Sequence, residues 1–389
     1  MILAVLSSLL RGQEVTQPPP AIAFDAWKKV AESEEALEYS LSFPSAYPTA
    51  YPENSLVQVR AIVPSQVKGP MPVVVLLHYL GATDLKIERS IADELAKGGM
   101  GAVMVTLPYH MARTPKGYSS GELAIQPDPA KLVETMTQSV LDVRRTLDWI
   151  ASRPEFDQSK IGVGGTSLGA LVGSLVFALD ARVRAATFML SGADLAHILW
   201  NSSRVVTQRD IMRSRGYTEQ RLREALAVIE PLRYLPARTD GSSFVIGARY
   251  DTVIPPSDTL KLIGALKNPK VLWLETGHYG GAFVQRKLLK TVAKFFVEEL
   301  SGREFRPPGR IYAPTIRIGV DLNAVTGLQV AAGLDLWRDE GRTNSFVSAM
   351  LTPRGAELFV GRRLDKGLAL GITFLARGLS PGLFWSTVL

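Results

Sequence analysis

The chain of 389 residues contains no cysteine and only four histidines. Without cysteine it can form no disulfide bond, no thiolate zinc site and no cysteine nucleophile. The net charge of +7 is dispersed, and no dense lysine and arginine tract lies beside aromatic residues. Nucleic acid is therefore not predicted as a partner, while contact with anionic polymers or surfaces stays open. The sequence predicts no cofactor and no metal site.

The N-terminal segment, residues 1–20, lacks what a membrane-spanning element requires. Met1–Leu10 is apolar but too short for a transmembrane helix. A remnant of a secretory signal is one interpretation of this apolar run, although it has no positively charged start and no clear small-x-small cleavage site. An exported and a cytoplasmic location both stay open. Gln17–Pro20 predicts a linker.

What the sequence does contain is a Gly-x-Ser-x-Gly stretch, Gly165–Gly169, in the surroundings of a nucleophile elbow. Lys160–Gly164 predicts a buried strand before it, and Ala170–Leu179 predicts a buried helix after it. A sharp turn between such elements presents the hydroxyl of Ser167 at the top of a sheet, beside the positive end of the helix dipole. The alternative is an ordinary glycine-rich turn with a serine cap, and the partners that follow in the chain decide between the two.

Two polar residues downstream each follow a predicted strand. Asp251 ends an apolar run that starts at Ser243, and His278 follows the strand Val271–Glu275. In an open α/β sheet, ligands bind at this edge. A serine hydroxyl needs an adjacent base, and the predicted base for Ser167 is His278. Asp251 would orient the imidazole and stabilise the imidazolium that forms.

A third apolar strand, Pro72–His78, is followed by Tyr79, Leu80 and Gly81. With the elbow and the chain order Ser…Asp…His, this stretch makes the chain resemble the α/β-hydrolase superfamily over about residues 37–300. Within the superfamily it is most similar to esterases and dienelactone-hydrolase-like proteins. The resemblance implies a mostly parallel sheet with helices on both faces.

The resemblance also implies an oxyanion hole and a structural role for His78. The backbone N–H groups of Leu80 and Leu168 would bind the developing oxyanion, as such donors do in acyl transfer. Members of the superfamily often carry His-Gly-x-Gly at this place, whereas Tyr79 replaces the first glycine here. Whether Tyr79 or Leu80 donates therefore stays open.

The alternation of strands and helices independently predicts an α/β fold with a parallel sheet. Tyr39–Phe43 and Ser55–Val63 alternate like paired antiparallel strands at a sheet edge. Pro129–Ser152 repeats its apolar residues at helical spacing and predicts a long amphipathic helix.

Three further residues are candidates for substrate binding. Trp200 lies in an insertion of helical pattern, residues 191–242, which in this fold commonly forms a cap over the active site. The alternative to a cap is a solvated helical surface, and the sequence does not decide between the two. His110 and Arg113 follow another strand end, where Arg113 could grip a substrate carboxylate. We favour the alternative, a proline-fixed loop in which Arg113 pairs with a neighbour.

The C-terminal segment, residues 305–389, changes to period-two alternation and predicts an antiparallel β-meander of about five strands. It could pack on the hydrolase domain or pair with a second copy in a homo-oligomer. It could instead bind a polymeric substrate or contact an outer membrane. We favour packing or dimerisation, because five strands cannot close a membrane barrel alone.

The predicted domains are the N-terminal segment 1–20, an α/β-hydrolase domain at 21–304 and the β-meander at 305–389. The predicted function is a serine hydrolase that cleaves a small-molecule or polymeric carboxylic ester through an acyl-enzyme. A peptidase or amidase, and a thioesterase or acyltransferase, are alternatives that use the same triad. A non-catalytic binding scaffold is the alternative outside enzymes.

Overall fold

A computed structural model of the chain describes residues 15–47, 49–66, 69–309, 311, 315–339, 344–364, 367–376 and 378–388. Met1–Leu10, the predicted apolar segment, lies outside these residues. The chain divides into two units. Unit 1 contains the residues up to 247 together with 253–272 and 286–309, and unit 2 contains 248–252, 273–285 and the residues from 310 onward. The predicted domain boundaries stay predictions.

The strands, in chain order, are β1 (Lys28–Glu32), β2 (Ala36–Pro44), β3 (Leu56–Pro64), β4 (Met71–Leu77), β5 (Gly101–Val105), β6 (Phe156–Thr166), β7 (Val183–Met189), β8 (Ser242–Ala248), β9 (Lys270–Leu274), β10 (Thr315–Asn323), β11 (Gly327–Asp339), β12 (Ser345–Thr352), β13 (Gly355–Arg363), β14 (Leu368–Leu375) and β15 (Gly378–Val388).

The α-helices are α1 (Lys86–Lys97), α2 (Pro129–Ala151), α3 (Leu168–Leu179), α4 (Leu195–Asn201), α5 (Val206–Ser214), α6 (Glu219–Leu226), α7 (Pro231–Tyr234), α8 (Pro256–Ala265) and α9 (Gln285–Glu299). Short 3₁₀ helices occupy Glu53–Ser55, Met111–Arg113, Ala227–Ile229, Leu235–Ala237 and Gly280–Val284. None of the helices in these described ranges combines the length and the apolar character that a membrane span requires.

The first nine strands form one sheet in the order β1-β2-β3-β5-β4-β6-β7-β8-β9. β5, β4, β6, β7 and β8 pair in parallel, and β1, β2 and β3 add an antiparallel edge. The predicted α/β-hydrolase fold is confirmed, and so is the predicted edge pair, which is β2 and β3. The sequence did not predict β1, because all five of its residues are exposed and leave no apolar pattern to detect.

The centre of unit 1 is apolar because its strands and long helix supply buried aliphatic side chains. Val73, Val74 and Val75 of β4 are fully buried, as expected for a parallel strand covered on both faces. Helix α2 begins where the Asp128 side chain accepts a hydrogen bond from the N–H of Ala130 at 2.9 Å. Each fully buried aliphatic side chain stabilises the fold by about 1.5–3 kcal/mol relative to an exposed one.

The described part of the predicted N-terminal linker lies against α2. Val15 is fully buried. Arg144 donates to the carbonyl of Gln17 at 2.6 Å, and Arg145 donates to the carbonyl of Pro20 at 2.7 Å. Two helix arginines thus fix the course of residues 15–20.

A buried ion pair links α2 to the loop after β5. Arg113 is fully buried, and its guanidinium lies 2.7 Å from the carboxylate of Asp142. The same guanidinium donates to the carbonyls of Thr106 and Asn54 at 2.9 and 2.7 Å. Asp142 also accepts from the Ser45 hydroxyl at 2.7 Å. The network therefore joins three chain segments that are distant in sequence.

The last six strands, β10 to β15, form a closed antiparallel barrel in unit 2. Each strand pairs with the next, and β15 pairs with β10. The predicted antiparallel meander is confirmed, but it has six strands rather than about five. The sixth, β15, was missed because serine, proline and glycine at residues 380–382 interrupt its alternation. Closure depends on pairing between Arg317–Asn323 and residues 382–388, which no local pattern reveals.

We expect Asp142→Ala to lower the free energy of unfolding by about 3–5 kcal/mol, because it leaves the buried charge of Arg113 without its partner. Asp148→Ala on the same helix is the matched control. Its ion pair with Arg182 also measures 2.7 Å, but both side chains are about one-third exposed. That loss should stay within about 1 kcal/mol. Urea unfolding measures both, and equal losses would contradict the role assigned to the buried pair.

Candidate active site

Ser167 lies at the turn between β6 and α3 with φ 52° and ψ −113°. A side-chain-bearing residue is strained at such positive φ and persists there only when its surroundings hold it. The Ser167 N–H donates to the carbonyl of Met189 in β7 at 2.8 Å, and the Ser167 carbonyl accepts from Ala170 and Leu171 in α3 at 2.9 and 3.0 Å. Sheet and helix together therefore fix the turn.

The two glycines of the motif permit very close packing around this turn. A Cβ on Gly165 would lie 2.3 Å from the carbonyl carbon and oxygen of Gly169. A Cβ on Gly169 would lie 2.3 Å from the carbonyl oxygen of Leu77 at the end of β4. Only residues without a side chain fit both places, so the glycines bring β6, α3 and β4 together.

Strained backbone is concentrated at the same edge of the sheet. Tyr109 and Met111 after β5 have φ of 65° and 48°, and Leu190 after β7 has φ of 53°. None of the three is glycine, so each costs energy that the surrounding fold must supply. This edge, at the carboxyl ends of parallel strands, is where open α/β sheets bind ligands.

His78 braces the loop that follows β4. Its fully buried ring accepts from the N–H of Leu107 through Nε2 at 3.0 Å, so the ring proton lies on Nδ1 and is donated to the carbonyl of Tyr79 at 2.9 Å. Burial lowers the pKa of His78 to about 3. The imidazole is therefore neutral and serves as a fixed strut between two loops.

His110 supports the same loop from its other side. Its Nε2 accepts from the N–H of Gly81 at 2.9 Å, and its Nδ1 donates to the carbonyl of Pro108 at 2.8 Å. Burial lowers the pKa of His110 to about 4. Neither His110 nor Arg113, the two candidates for substrate contact in this loop, has a side chain that reaches solvent. What the structure shows is the alternative in which Arg113 pairs with its neighbour Asp142.

The predicted oxyanion residues follow β4 and begin α3. Leu168 is the first residue of α3, where the helix dipole favours negative charge. A Cβ on Gly169 would also lie 2.6 Å from the carbonyl oxygen of His78, so the chain entering the loop touches the start of this helix. Tyr79 and Leu80 are half-buried at the next two positions. Which of these two residues would donate its backbone N–H to the oxyanion stays open.

The insertion between β7 and β8 contains α4 to α7, so the predicted helical insertion is present. Its Arg204 guanidinium lies 3.6 Å from where a Cβ on Gly81 would be, which brings the insertion to the loop after β4. Trp200 in α4 is half-buried beneath the guanidinium of Arg213, whose carbon lies 4.7 Å from the ring centroid. A substrate contact of Trp200 stays a prediction.

Asp251 and His278 meet within unit 2. Nδ1 of His278 lies 2.7 Å from Oδ2 of Asp251, and both side chains are buried. Backbone hydrogen bonds join the two segments: Arg249 donates to the carbonyl of Leu274 at 2.9 Å. The structure thus pairs two residues that lie 27 positions apart in sequence.

Comparisons with known proteins place this fold. A family model described as "Alpha/beta hydrolase domain containing 18" matches residues 6–226, more than half of the chain. The chain belongs to this family. The matched residues include Ser167 and the loop after β4 but end before Asp251 and His278.

Two uncharacterized Mycobacterium tuberculosis proteins, from strains CDC 1551 / Oshkosh and ATCC 25618 / H37Rv, are each 28% identical over 237 residues. The match covers 59% of this chain and 54% of each relative. The chain thus spans about half the length of the curated relatives it matches.

Solved structures share the fold at low identity. An acetyl xylan esterase from Paenibacillus sp. R4 gives a TM-score of 0.57 at 18% identity, covering 74% of this chain and 93% of that one. Acetyl xylan esterase 1 from Thermoanaerobacterium sp. JW/SL YS485 gives 0.54 at 17%, covering 73% and 93%. The Pyrococcus horikoshii acylaminoacyl peptidase gives 0.54 at 16%, covering 71% and 44%.

This member of the family holds a second histidine–aspartate pair, in unit 1. Nδ1 of His197 lies 2.7 Å from Oδ2 of Asp258. The other Asp258 oxygen lies 2.9 Å from Nζ of Lys261, which also contacts Asp194 at 2.7 Å. The carboxylate of Asp258 is therefore shared with a lysine in a network of ion pairs, as in a structural cluster.

Glu88 is a buried carboxyl near the elbow that no sequence pattern indicates. Glu88 lies in the first turn of α1, is 2% exposed and lines a cavity of about 10 Å³ with Gly165 and Thr166. Within the described part of the chain, its oxygens have no partner beyond its own backbone N–H. Burial raises the pKa of Glu88 to about 7.

We expect the stability contribution of Glu88 to be fully present below pH about 4.5 and lost as pH rises to about 7. Between these values the folded protein keeps the proton that the unfolded chain releases. Glu88→Gln should remove this dependence and, above pH about 7, raise the free energy of unfolding by up to about 3 kcal/mol. Urea unfolding at several pH values across this range measures the free energy of unfolding of both proteins. The same pH dependence in the wild type and in Glu88→Gln would exclude the effect.

Proposed function

We propose that the protein is a serine hydrolase that cleaves carboxylic esters through an acyl-enzyme. In this proposal Ser167 is the nucleophile, His278 is the general base and Asp251 orients His278. The observation that supports it most is the strained backbone of Ser167, at φ 52° between a strand and a helix packed around two glycines. Such a turn exposes a nucleophile at the edge of the sheet where ligands bind.

The Asp251–His278 pair supports the choice of base. The carboxylate holds Nδ1 of the imidazole at 2.7 Å, which fixes the tautomer that carries its proton on Nδ1. Nε2 is then the atom that accepts the hydroxyl proton of Ser167 as it attacks the ester carbonyl. The same proton later passes to the alcohol that leaves, and a water molecule repeats the sequence to release the acid.

The loop after β4 supports the oxyanion hole. Two neutral, buried histidines hold it: His78 through the carbonyl of Tyr79, and His110 through the N–H of Gly81. Donors for a developing oxyanion act best when they are already fixed, because no reorganisation is then needed during the reaction. The backbone N–H groups of Leu80, or Tyr79, and of Leu168 are the proposed donors.

Esters are the proposed substrate class, and two solved proteins with this fold are acetyl xylan esterases covered over 93% of their length. Peptide or amide cleavage is the second candidate, since an acylaminoacyl peptidase shares the fold over 44% of its length. The same triad serves both reactions. Parallel turnover of matched p-nitrophenyl esters and p-nitroanilides separates the two candidates.

We expect Ser167→Ala to lower kcat/KM for p-nitrophenyl acetate by about 10⁴-fold or more, because no acyl-enzyme can form. Ser191→Ala is the matched control: this serine follows the neighbouring strand β7, is fully buried and has an Oγ without a hydrogen-bond partner in the described residues. It should keep nearly full activity. A fluorophosphonate probe should label the wild type at Ser167. An unlabelled and inactive wild type would favour the binding scaffold.

We expect His278→Ala to abolish most ester turnover, with a loss of about 10⁴-fold or more in kcat, because the nucleophile loses its base. His197→Ala is matched in geometry, since that imidazole also meets an aspartate at 2.7 Å through Nδ1. It should retain activity. Loss of activity in His197→Ala but not in His278→Ala would contradict the assignment of His278 as the base.

A further inference from the structure

The barrel of β10–β15 carries an apolar outer face on every strand. Large apolar side chains that are 37–69% exposed occur on all six strands. One from each strand defines this outer face: Leu322, Val330, Leu351, Val360, Ile372 and Leu383. In a barrel surrounded by water these positions would be polar, because alternate residues of a strand point to opposite faces.

The inner face of the same barrel is largely polar. Arg317 and Asp335 form an ion pair at 2.8 Å with both side chains 2% exposed. Asp321 and Glu357 are also buried, and Gln329 donates to Glu357 at 2.9 Å. Phe359 and Phe384 fill part of the interior, so side chains rather than a channel occupy it. The polarity of the barrel is thus reversed relative to a water-soluble one.

The strand lengths fit the hydrocarbon layer of a bilayer. The six strands have 8 to 13 residues. Nine residues extend about 30 Å at about 3.4 Å per residue. Membrane barrel strands are tilted by about 40° from the barrel axis, so this strand length corresponds to a height of roughly 23 Å along the axis. That height is close to the apolar band of about 25 Å on membrane barrels.

The polar and aromatic residues lie where a bilayer would place them. Trp337 and Trp385 are 52% and 63% exposed, near the barrel end where β11 and β15 finish. Arg362 and Arg363 close β13 at this same end, and Arg354 lies in a turn at the opposite end. Tryptophan and basic residues are favoured at the membrane–water interfaces.

We propose that the outer face of this barrel contacts the hydrocarbon of a phospholipid bilayer. A second copy of the chain would cover one side of the barrel, whereas the exposed apolar residues occur on all six strands. A surrounding apolar medium covers such a face completely. The barrel has six strands, fewer than the eight of the smallest bacterial membrane barrels. Because a barrel narrows as its strand number falls, the side chains of this one fill its interior. The proposal is independent of the activity proposed for Ser167.

The test uses the full chain, reconstituted from mild detergent into phosphatidylcholine vesicles and floated on a density gradient at high salt. High salt screens the attraction of a basic protein to a surface, and phosphatidylcholine carries no net charge. We expect the wild type to float with the vesicles. Ile372→Arg, which lies on the outer face in the middle of β14, should lower the fraction bound to the vesicles, with a partition coefficient reduced about 30-fold or more.

Leu260→Arg is the matched control, since Leu260 is 57% exposed on α8 in unit 1. It should float like the wild type. Vesicles with brominated acyl chains should quench the tryptophan fluorescence of the wild type, and the quenching should fall in Trp337→Phe/Trp385→Phe. A wild type that stays at the bottom of the gradient overturns the proposal. So does a soluble dimer that Ile372→Arg dissociates, which would assign the outer face to a second copy.

Discussion

The turn at Ser167 depends on close backbone packing between β4, β6 and α3. Gly165 and Gly169 leave no room for a side chain, and each would place a Cβ 2.3 Å from a carbonyl group. This approach lets the sheet hold the Ser167 N–H and the helix hold its carbonyl, so a strained residue stays in place. The loop after β4 begins against the same turn, since the carbonyl oxygen of His78 lies 2.6 Å from where a Cβ on Gly169 would be.

Behind that turn, unit 1 contains buried polar groups with two kinds of role. His78, His110 and the Arg113–Asp142 pair are hydrogen-bonded to loops and hold them in place, although Nε of Arg113 has no partner within the described residues. Glu88 is different, because its carboxyl is buried beside a small cavity without such partners. Satisfied groups rigidify a site, whereas an unsatisfied carboxyl costs stability once it loses its proton.

Unit 2 combines two features of different character. The Asp251–His278 pair belongs to short segments that follow β8 and β9, and the barrel supplies the rest of the unit. The Thr315 hydroxyl, at the first residue of β10, donates to the carbonyl of Glu275 at 2.8 Å. A proposed catalytic base and a proposed lipid-facing barrel are thus linked within one unit.

The sequence by itself determined the α/β fold, the strand–turn–helix around Ser167 and the antiparallel C-terminal strands. These features arise from local signals: apolar runs, helical or two-residue periods, and glycines next to a serine. It could not determine β1, whose residues are all exposed, or the closure of the barrel, which depends on pairing between its first and last strands.

Only the tertiary structure decided what the polar side chains contact. His110 and Arg113 follow a strand end just as a substrate residue would, yet both are fully buried and bonded to loops. His197 and His278 each meet an aspartate at 2.7 Å, but the His197 side chain is 30% exposed against 8% for His278, and a lysine shares the aspartate of His197. Burial and hydrogen-bond partners come from segments far apart in the chain, so no local pattern contains them.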